Sequence, residues 1–192
     1  MIKGRDKIRA VVIGGSAGSF PLMGKIFASL PANFRHPIIV APHRLKHVRH
    51  GFVEALRLKS ALEIIEPIDK QKIEAGKIYI APANYHMSAE PDAYLSLTTE
   101  GMRLSSRPSI DITLSSVGEL YKDNTLGILL TGANKDGAYG MKVINDHGGI
   151  TIVQDPLTCM VDTMPKSAME ITKIDYVMSV DEIIKVLLST NR

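Results

Sequence analysis

No stretch of this sequence reaches the roughly 18 consecutive apolar residues of a membrane-spanning helix, so no spanning helix is expected. The basic start Lys3 to Arg9 is followed only by the short apolar run Ala10 to Ile13, too short for the core of a secretory signal, and the expected location is cytoplasmic. A single cysteine, Cys159, cannot form an internal disulfide; in its mixed apolar segment a buried, inert thiol is expected. An excess of one charge is missing too. The 23 basic residues face 20 acidic ones, and a net charge of +3 is too balanced to call for nucleic acid. Internal repeats and low-complexity tracts are absent. What remains is 192 residues of ordinary globular composition, 45% hydrophobic and 22% charged, expected to form one domain over residues 1–192 with a substantial core and no need of disulfide or metal.

The chain is organised around Val11-Val-Ile-Gly-Gly-Ser16-Ala-Gly-Ser19, an apolar β-branched run that breaks into glycines around one serine, with a helical pattern from Phe20. A dinucleotide-binding turn needs G-x-G-x-x-G and an acid at the end of the second strand. Here the glycines are Gly14, Gly15 and Gly18, and the second strand ends in His43. A phosphate loop needs four residues between its glycines and a hydroxyl residue after the lysine, whereas Gly18 and Gly24-Lys25 are separated by five and Ile26 follows. Two readings stay open on these residues: Ser16 as a nucleophile with His43 as its base, or a tight turn in which Ser16 merely caps a helix.

Strand one is predicted over Ile8 to Ile13, a helix over Phe20 to Leu30 with apolar residues at helical spacing, and a buried strand over Pro37 to Pro42. A right-handed crossover between the two strands puts Ser16 and His43 on one edge of the sheet. Arg44 to Lys59 is basic, with a short helix around Phe52 to Leu58. His43, His47, His50 and Glu54 match no strong metal signature, and no metal or other cofactor is expected. Strands follow at Leu62 to Glu66 and Lys77 to Ile80, then a β-hairpin pairing Tyr94 to Thr99 with Arg103 to Ser106. Ser109 is placed as the cap of a helix that carries Asp111 in its first turn and ends near Tyr121. A buried strand, Thr125 to Leu130, breaks into the polar loop Thr131-Gly-Ala-Asn-Lys-Asp136-Gly137 ahead of a helix over Ala138 to Asp146. A strand at Gly149 to Gln154, a loop through Pro156 and Pro165, a strand at Tyr176 to Ser179 and a helix over Asp181 to Ser189 complete the alternation. The predicted class is α/β: a three-layer α/β/α arrangement with a doubly wound, mainly parallel sheet and one hairpin.

Ser16, His43 and Asp136 each stand just past a predicted buried strand, at the edge where open parallel sheets build sites, and they are the parts of acyl-transfer chemistry. The motifs around them resemble the catalytic domain of the CheB-type chemotaxis protein-glutamate methylesterases. The resemblance runs through Ile13-Gly-Gly-Ser-Ala-Gly18, Val40-Ala-Pro-His43, Tyr79-Ile-Ala-Pro82 with His86-Met87, Arg107-Pro-Ser-Ile-Asp111, Leu130-Thr-Gly132 with Lys135-Asp-Gly137, and Met164-Pro165. It implies a doubly wound α/β fold, a triad of Ser16, His43 and Asp136, and hydrolysis of methylated glutamates on the cytoplasmic helices of chemoreceptors, with glutamine deamidation as a second activity.

The chain departs from that family pattern at Ala17 and Ser19, at Ala133-Asn134 and at Arg44-Leu45. It also starts directly with strand one, so gating by a phosphoacceptor receiver domain in the same chain is not expected, and a separate signalling or regulator protein is the alternative partner. On this reading the backbone N–H of Ala17, aided by the loop around Ala133, receives the oxyanion. The basic stretch after His43, led by Arg44 and Lys46, steers carboxylate-rich receptor helices. Two rivals differ in class: a non-catalytic binding or scaffold relative, motivated by Ala17, Ser19 and Ala133, and a nucleotide-binding α/β protein, motivated by the glycine turn.

Overall fold

Alternation along buried strands fixes the layers. The computed structural model describes residues 2–44, 51–102 and 106–191. In β1 (Ala10–Gly15), Val11 and Ile13 pack into one apolar cluster, while Ala10 and Val12 pack into another. β2 (Ile38–Pro42) and β5 (Lys77–Ile80) divide their side chains in the same way. Such near-continuous apolar runs are what a parallel sheet covered on both faces requires. The remaining strands of that sheet are β3 (Glu63–Ile65), β8 (Thr125–Leu129), β9 (Ile150–Gln154) and β10 (Tyr176–Met178). Their order is β10-β9-β8-β1-β2-β5-β3, and every pairing is parallel.

One face is covered by α1 (Ser19–Ser29), α2 (Phe52–Arg57) and α6 (Val180–Thr190), the other by α3 (Ile110–Tyr121), α4 (Ala138–Asp146) and α5 (Thr163–Ile171). Helix α1 shows why. Met23, Ile26 and Phe27, with Leu30 just beyond its end, fall on one stripe and are buried, each such side chain contributing about 1.5–3 kcal/mol relative to exposure. The helix stops because Leu30 precedes Pro31 and takes an extended backbone, with ψ at 134°.

Three predicted features are corrected. β1 starts later and runs through Gly14 and Gly15, so these glycines are strand and the turn proper is Ser16-Ala17-Gly18. The antiparallel partner of β7 (Tyr94–Thr98) is β6 (His86–Glu90), which precedes it; together with β4 (Gln71–Lys72) they form a separate three-stranded sheet packed on the α3 side. Residues 103–105 of the predicted second arm lie outside the described residues. The loop predicted through Pro165 contains α5, with Pro165 as its third residue, where the missing N–H deprives the helix of nothing.

Candidate active site

The carboxyl edges of β1, β2 and β8 are three neighbours in the sheet. The register places Gly15 beside Pro42 and Gly14 beside both Ala41 and Leu129. Main-chain bonds extend this registration past the strands: His43 N–H donates to Gly15 O at 3.0 Å, Ser16 N–H to Thr131 O at 2.9 Å, and Leu130 N–H to Gly14 O at 2.9 Å. The residues that follow each strand are therefore held side by side by backbone alone. Gly18 and Gly137 cap α1 and α4 with φ of +81° and +99°, a left-handed conformation that lets each chain turn sharply from the sheet edge into its helix. A β-carbon on Gly18 would sit 2.6 Å from Cβ of Met160, so the 155–162 loop crosses close over the serine turn.

The side chains meet in a row. His43 Nδ1 lies 3.2 Å from Ser16 Oγ, and His43 Nε2 lies 2.7 Å from Asp136 Oδ2. The nitrogens are used in the opposite sense to the serine-protease arrangement, where Nε2 faces the serine. An ionised carboxylate only accepts, so Nε2 carries the proton and Nδ1 turns its lone pair towards Ser16.

Asp136 is fully buried and saturated. Besides His43 Nε2–H, Oδ2 accepts the Ile110 N–H at 2.8 Å; Oδ1 accepts the Asp111 N–H at 2.9 Å and the Ser109 hydroxyl at 3.0 Å. The carboxylate thus sits on the amino end of α3, where free N–H groups favour an anion. Burial pushes its pKa up, but the hydrogen bonds from His43 and the Asp111 and Ile110 amides, with the charge of His43, outweigh that and hold it below the usual aspartate value. Ser109 in turn is fixed by donating its N–H to the buried His86 Nδ1 at 3.1 Å.

The capping is reciprocal. Helix α4 has no side-chain cap of its own, and Asp111 Oδ1 accepts the N–H groups of Gly137 and Gly140, each at 2.8 Å. Burial first, and then the neighbouring Asp136 charge, raise the Asp111 pKa against the opposing pull of those two amides.

Thr131 and Gln154 complete the floor. Thr131 Oγ1 lies 3.0 Å from Ala17 O and 2.9 Å from Val161 O, and Gln154 Oε1 accepts the Thr131 N–H at 3.0 Å. Thr131 thereby ties the 155–162 loop to the serine turn, and Gln154 Nε2 donates to the loop's Thr158 O at 3.0 Å. The sequence reading names neither as functional; a lone glutamine ending the buried run Ile-Thr-Ile-Val is the one available signal.

Ala17 is half-buried beside Ser16, and Ala133 is exposed in the loop before Asp136. Arg44 is not the free steering charge expected of it. Its side chain is only 2% exposed, its guanidinium pairs with Glu66, and it lies 4.7 Å from the Phe52 ring centre. There it forms part of the wall of a cavity of about 740 Å³ that also includes Asn84 and Tyr85. Lys46, His47 and His50 lie outside the described residues. Among the described residues no group of three or more His, Cys, Asp or Glu is arranged to hold a metal ion, and no helix is long and apolar enough to cross a membrane. Burial, with the charges of Asp162 and Asp155, pushes the half-buried Cys159 thiol up to about 11.

Comparison with known proteins identifies the family. A family model described as CheB methylesterase matches residues 11–187. A putative protein-glutamate methylesterase/protein-glutamine glutaminase of Leptospira interrogans is 40% identical over 180 residues, covering 93% of this chain and 93% of that protein. The protein-glutamate methylesterase/protein-glutamine glutaminase of Clostridium acetobutylicum is 34% identical over 191 residues; the match covers 97% of this chain but 55% of that longer relative. The crystal structure of the Thermotoga maritima CheB methylesterase catalytic domain superimposes with a TM-score of 0.89 at 32% identity, covering 95% of this chain and 98% of that one.

Proposed function

The chain belongs to the CheB methylesterase family, and from that premise we propose that it hydrolyses glutamyl methyl esters, and deamidates glutamine, on the methylated helices of chemoreceptors, with Ser16, His43 and Asp136 as its triad. The observation that carries the reading is the row Ser16 Oγ, His43 Nδ1, His43 Nε2, Asp136 Oδ2, with separations of 3.2 and 2.7 Å, at the carboxyl edge of three adjacent parallel strands.

In this mechanism Ser16 Oγ attacks the ester carbonyl carbon while His43 Nδ1 takes its proton. The tetrahedral adduct collapses as the C–O bond to methoxide breaks, and Nδ1 returns the proton to the leaving methanol. Water then attacks the acyl-serine, giving one proton to the same nitrogen, which passes it back to Ser16 Oγ as the glutamic acid side chain leaves and loses its remaining proton to solvent. Asp136 fixes the tautomer and stabilises the imidazolium that forms at each step. With glutamine the leaving group is ammonia. The Ser16 N–H is engaged by Thr131 O, so the oxyanion falls to the N–H groups of Ala17 and Ala133, a donor of this kind contributing roughly 3–4 kcal/mol in the transition state.

Methanol release from methylated receptor is the test. Parental protein should release methanol, and Ser16→Ala should release none above the uncatalysed rate. A parental protein that binds receptor without turnover would instead support the scaffold reading. Turnover by Ser16→Ala at the parental rate would remove Ser16 from the mechanism.

A further inference from the structure

The site uses Asp136, and a second, partly buried aspartate, Asp111 on α3, lies beside it. Helix α4 begins at Gly137, which offers no side-chain oxygen, and its first amides would be left without a cap. Asp111 supplies the missing acceptor from α3, taking the Gly137 and Gly140 N–H groups on one oxygen. The Gly137 nitrogen belongs to the same peptide unit as the Asp136 carbonyl carbon, so this anchor acts one bond from the residue that bears the site's carboxylate. The Asp111 main chain closes the loop by donating its own N–H to Asp136 Oδ1. Each aspartate therefore caps the helix that carries or follows the other.

We propose that Asp111 is a positioning residue: its carboxylate pins the start of α4 so that Asp136 reaches His43, and its negative charge strengthens the histidine as a base. The catalytic part of this rests on the esterase reading given above; the structural part does not. The raised pKa of Asp111, set first by burial and then by the neighbouring Asp136 charge, accords with a carboxylate held there at a cost. The ionisable groups around it are Asp136 before α4, Lys135 and Tyr139 on either side of that helix start, and Glu170 on α5. The last three share with Asp111 the lining of a cavity of about 420 Å³. No cation is paired with the Asp111 carboxylate among the described residues.

Two variants separate geometry from charge. Asp111→Ala removes the acceptor. Asp111→Asn keeps an oxygen that can accept both amides but removes the charge. Each is examined by proton NMR of ¹⁵N-histidine-labelled protein for the His43 ring N–H bonded to Asp136, and by kcat and KM on a small neutral methyl ester, corrected for the folded fraction. Asp111→Ala should lose the ring N–H signal and lower kcat by about 10- to 100-fold at unchanged KM, the loss expected when hydrogen bonds to a charged group are removed. Asp111→Asn should keep the signal and recover kcat to within about threefold at high pH. Its acid limb should move to lower pH, because the positive form of the histidine has lost a stabilising charge. A parental ring signal and kcat in Asp111→Ala would overturn the positioning role. An Asp111→Asn variant as impaired as Asp111→Ala, or with an unmoved acid limb, would overturn it too. Ser16→Ala assayed in parallel keeps the two claims apart: if it still hydrolyses the ester, the esterase reading fails, while the ring signal continues to decide the fate of Asp111.

Discussion

Replacing Asp136 by asparagine should damage the fold as much as the chemistry, because this carboxylate is the cap of α3 as well as the partner of His43. The side chain is fully buried and accepts four hydrogen bonds, two per oxygen. An asparagine can present an oxygen on only one side. With the oxygen towards Ile110 and His43, the NH₂ group faces the Asp111 N–H; with the oxygen towards Asp111 and Ser109, it faces the Ile110 N–H. Either way one buried main-chain donor is stranded, at about 1–3 kcal/mol, and each bond that survives falls from the charged to the neutral range, a loss of about 1 kcal/mol apiece. Together these give a destabilisation of about 3–5 kcal/mol at neutral pH, or a drop in Tm of about 6–20 °C for a chain of this size. Urea unfolding followed by circular dichroism measures it.

The pH dependence provides the internal control. Folding holds the Asp136 pKa below the ordinary value of 3.8, so between the two values the unfolded chain binds a proton that the folded chain does not. The stabilisation from the ionised carboxylate is thus complete above the unfolded value and is lost as pH falls through the folded one. Asparagine does not titrate, so the stability gap between parent and variant should be widest near neutrality and close on acidification. A gap below about 1 kcal/mol at pH 7, or one that is the same at pH 3 and pH 7, would refute the assignment of Asp136 as a charged helix cap.

Other perturbations have different signatures. Ser16→Ala should leave the melting curve within about 1 °C of the parent, since it removes one half-buried hydroxyl whose hydrogen-bond partner is a histidine still held by Asp136. Gly140→Ala would put a β-carbon 2.5 Å from Leu114 Cβ and 3.2 Å from Asp111 O. Calorimetry should show a loss of about 1–3 kcal/mol, accompanied by reduced kcat, as α4 is pushed off α3. Raising salt from about 0.05 to 0.5 M should lower kcat/KM on the acidic receptor but spare a small neutral ester, since the Debye length falls from roughly 14 to 4 Å. Lys46→Glu should mimic that effect at low salt, whereas removing Arg44 and Glu66 together should not, because their charges balance each other. Equal salt responses for both substrates would remove electrostatic docking altogether.

How far the sequence could be read follows from the range of each interaction. The strands at the centre of the sheet were legible because a run such as Pro37 to Pro42 declares its burial locally, and α3 because Ser109 and Asp111 are a cap and a first-turn acid in plain view. Ser16, His43 and Asp136 could be grouped for the same reason: each follows a buried strand, and parallel crossovers bring such ends to one edge. Helix α5 was hidden by Pro165, which reads as a breaker unless its place in the first turn is known. Tyr94 to Thr98 alternated as a strand should, but the choice of His86–Glu90 as its partner depends on packing against α3, where Ala89 N–H meets Ser116 Oγ at 2.9 Å. Arg44 showed its charge but not the Glu66 that neutralises it 22 residues later. The exchange of caps between Asp111 and Asp136 was beyond reach, since nothing in either segment says that the other is its acceptor.

The place of β8 in the sheet also orders events during synthesis. β1 pairs on one side with β2, its near neighbour in sequence, and on the other with β8, with Ala10 opposite Thr125. His43 and Asp136 are 93 positions apart, which at a translation rate of about 5–20 residues per second is an interval of roughly 5–20 s. During it, a growing chain carries the serine and the histidine but no third strand beside them, no main-chain anchor from Thr131, and no carboxylate to orient the ring. On the proposed triad, a nascent chain that ends before β8 lacks the third member of the row, and its hydrolytic capacity waits for β8 to dock.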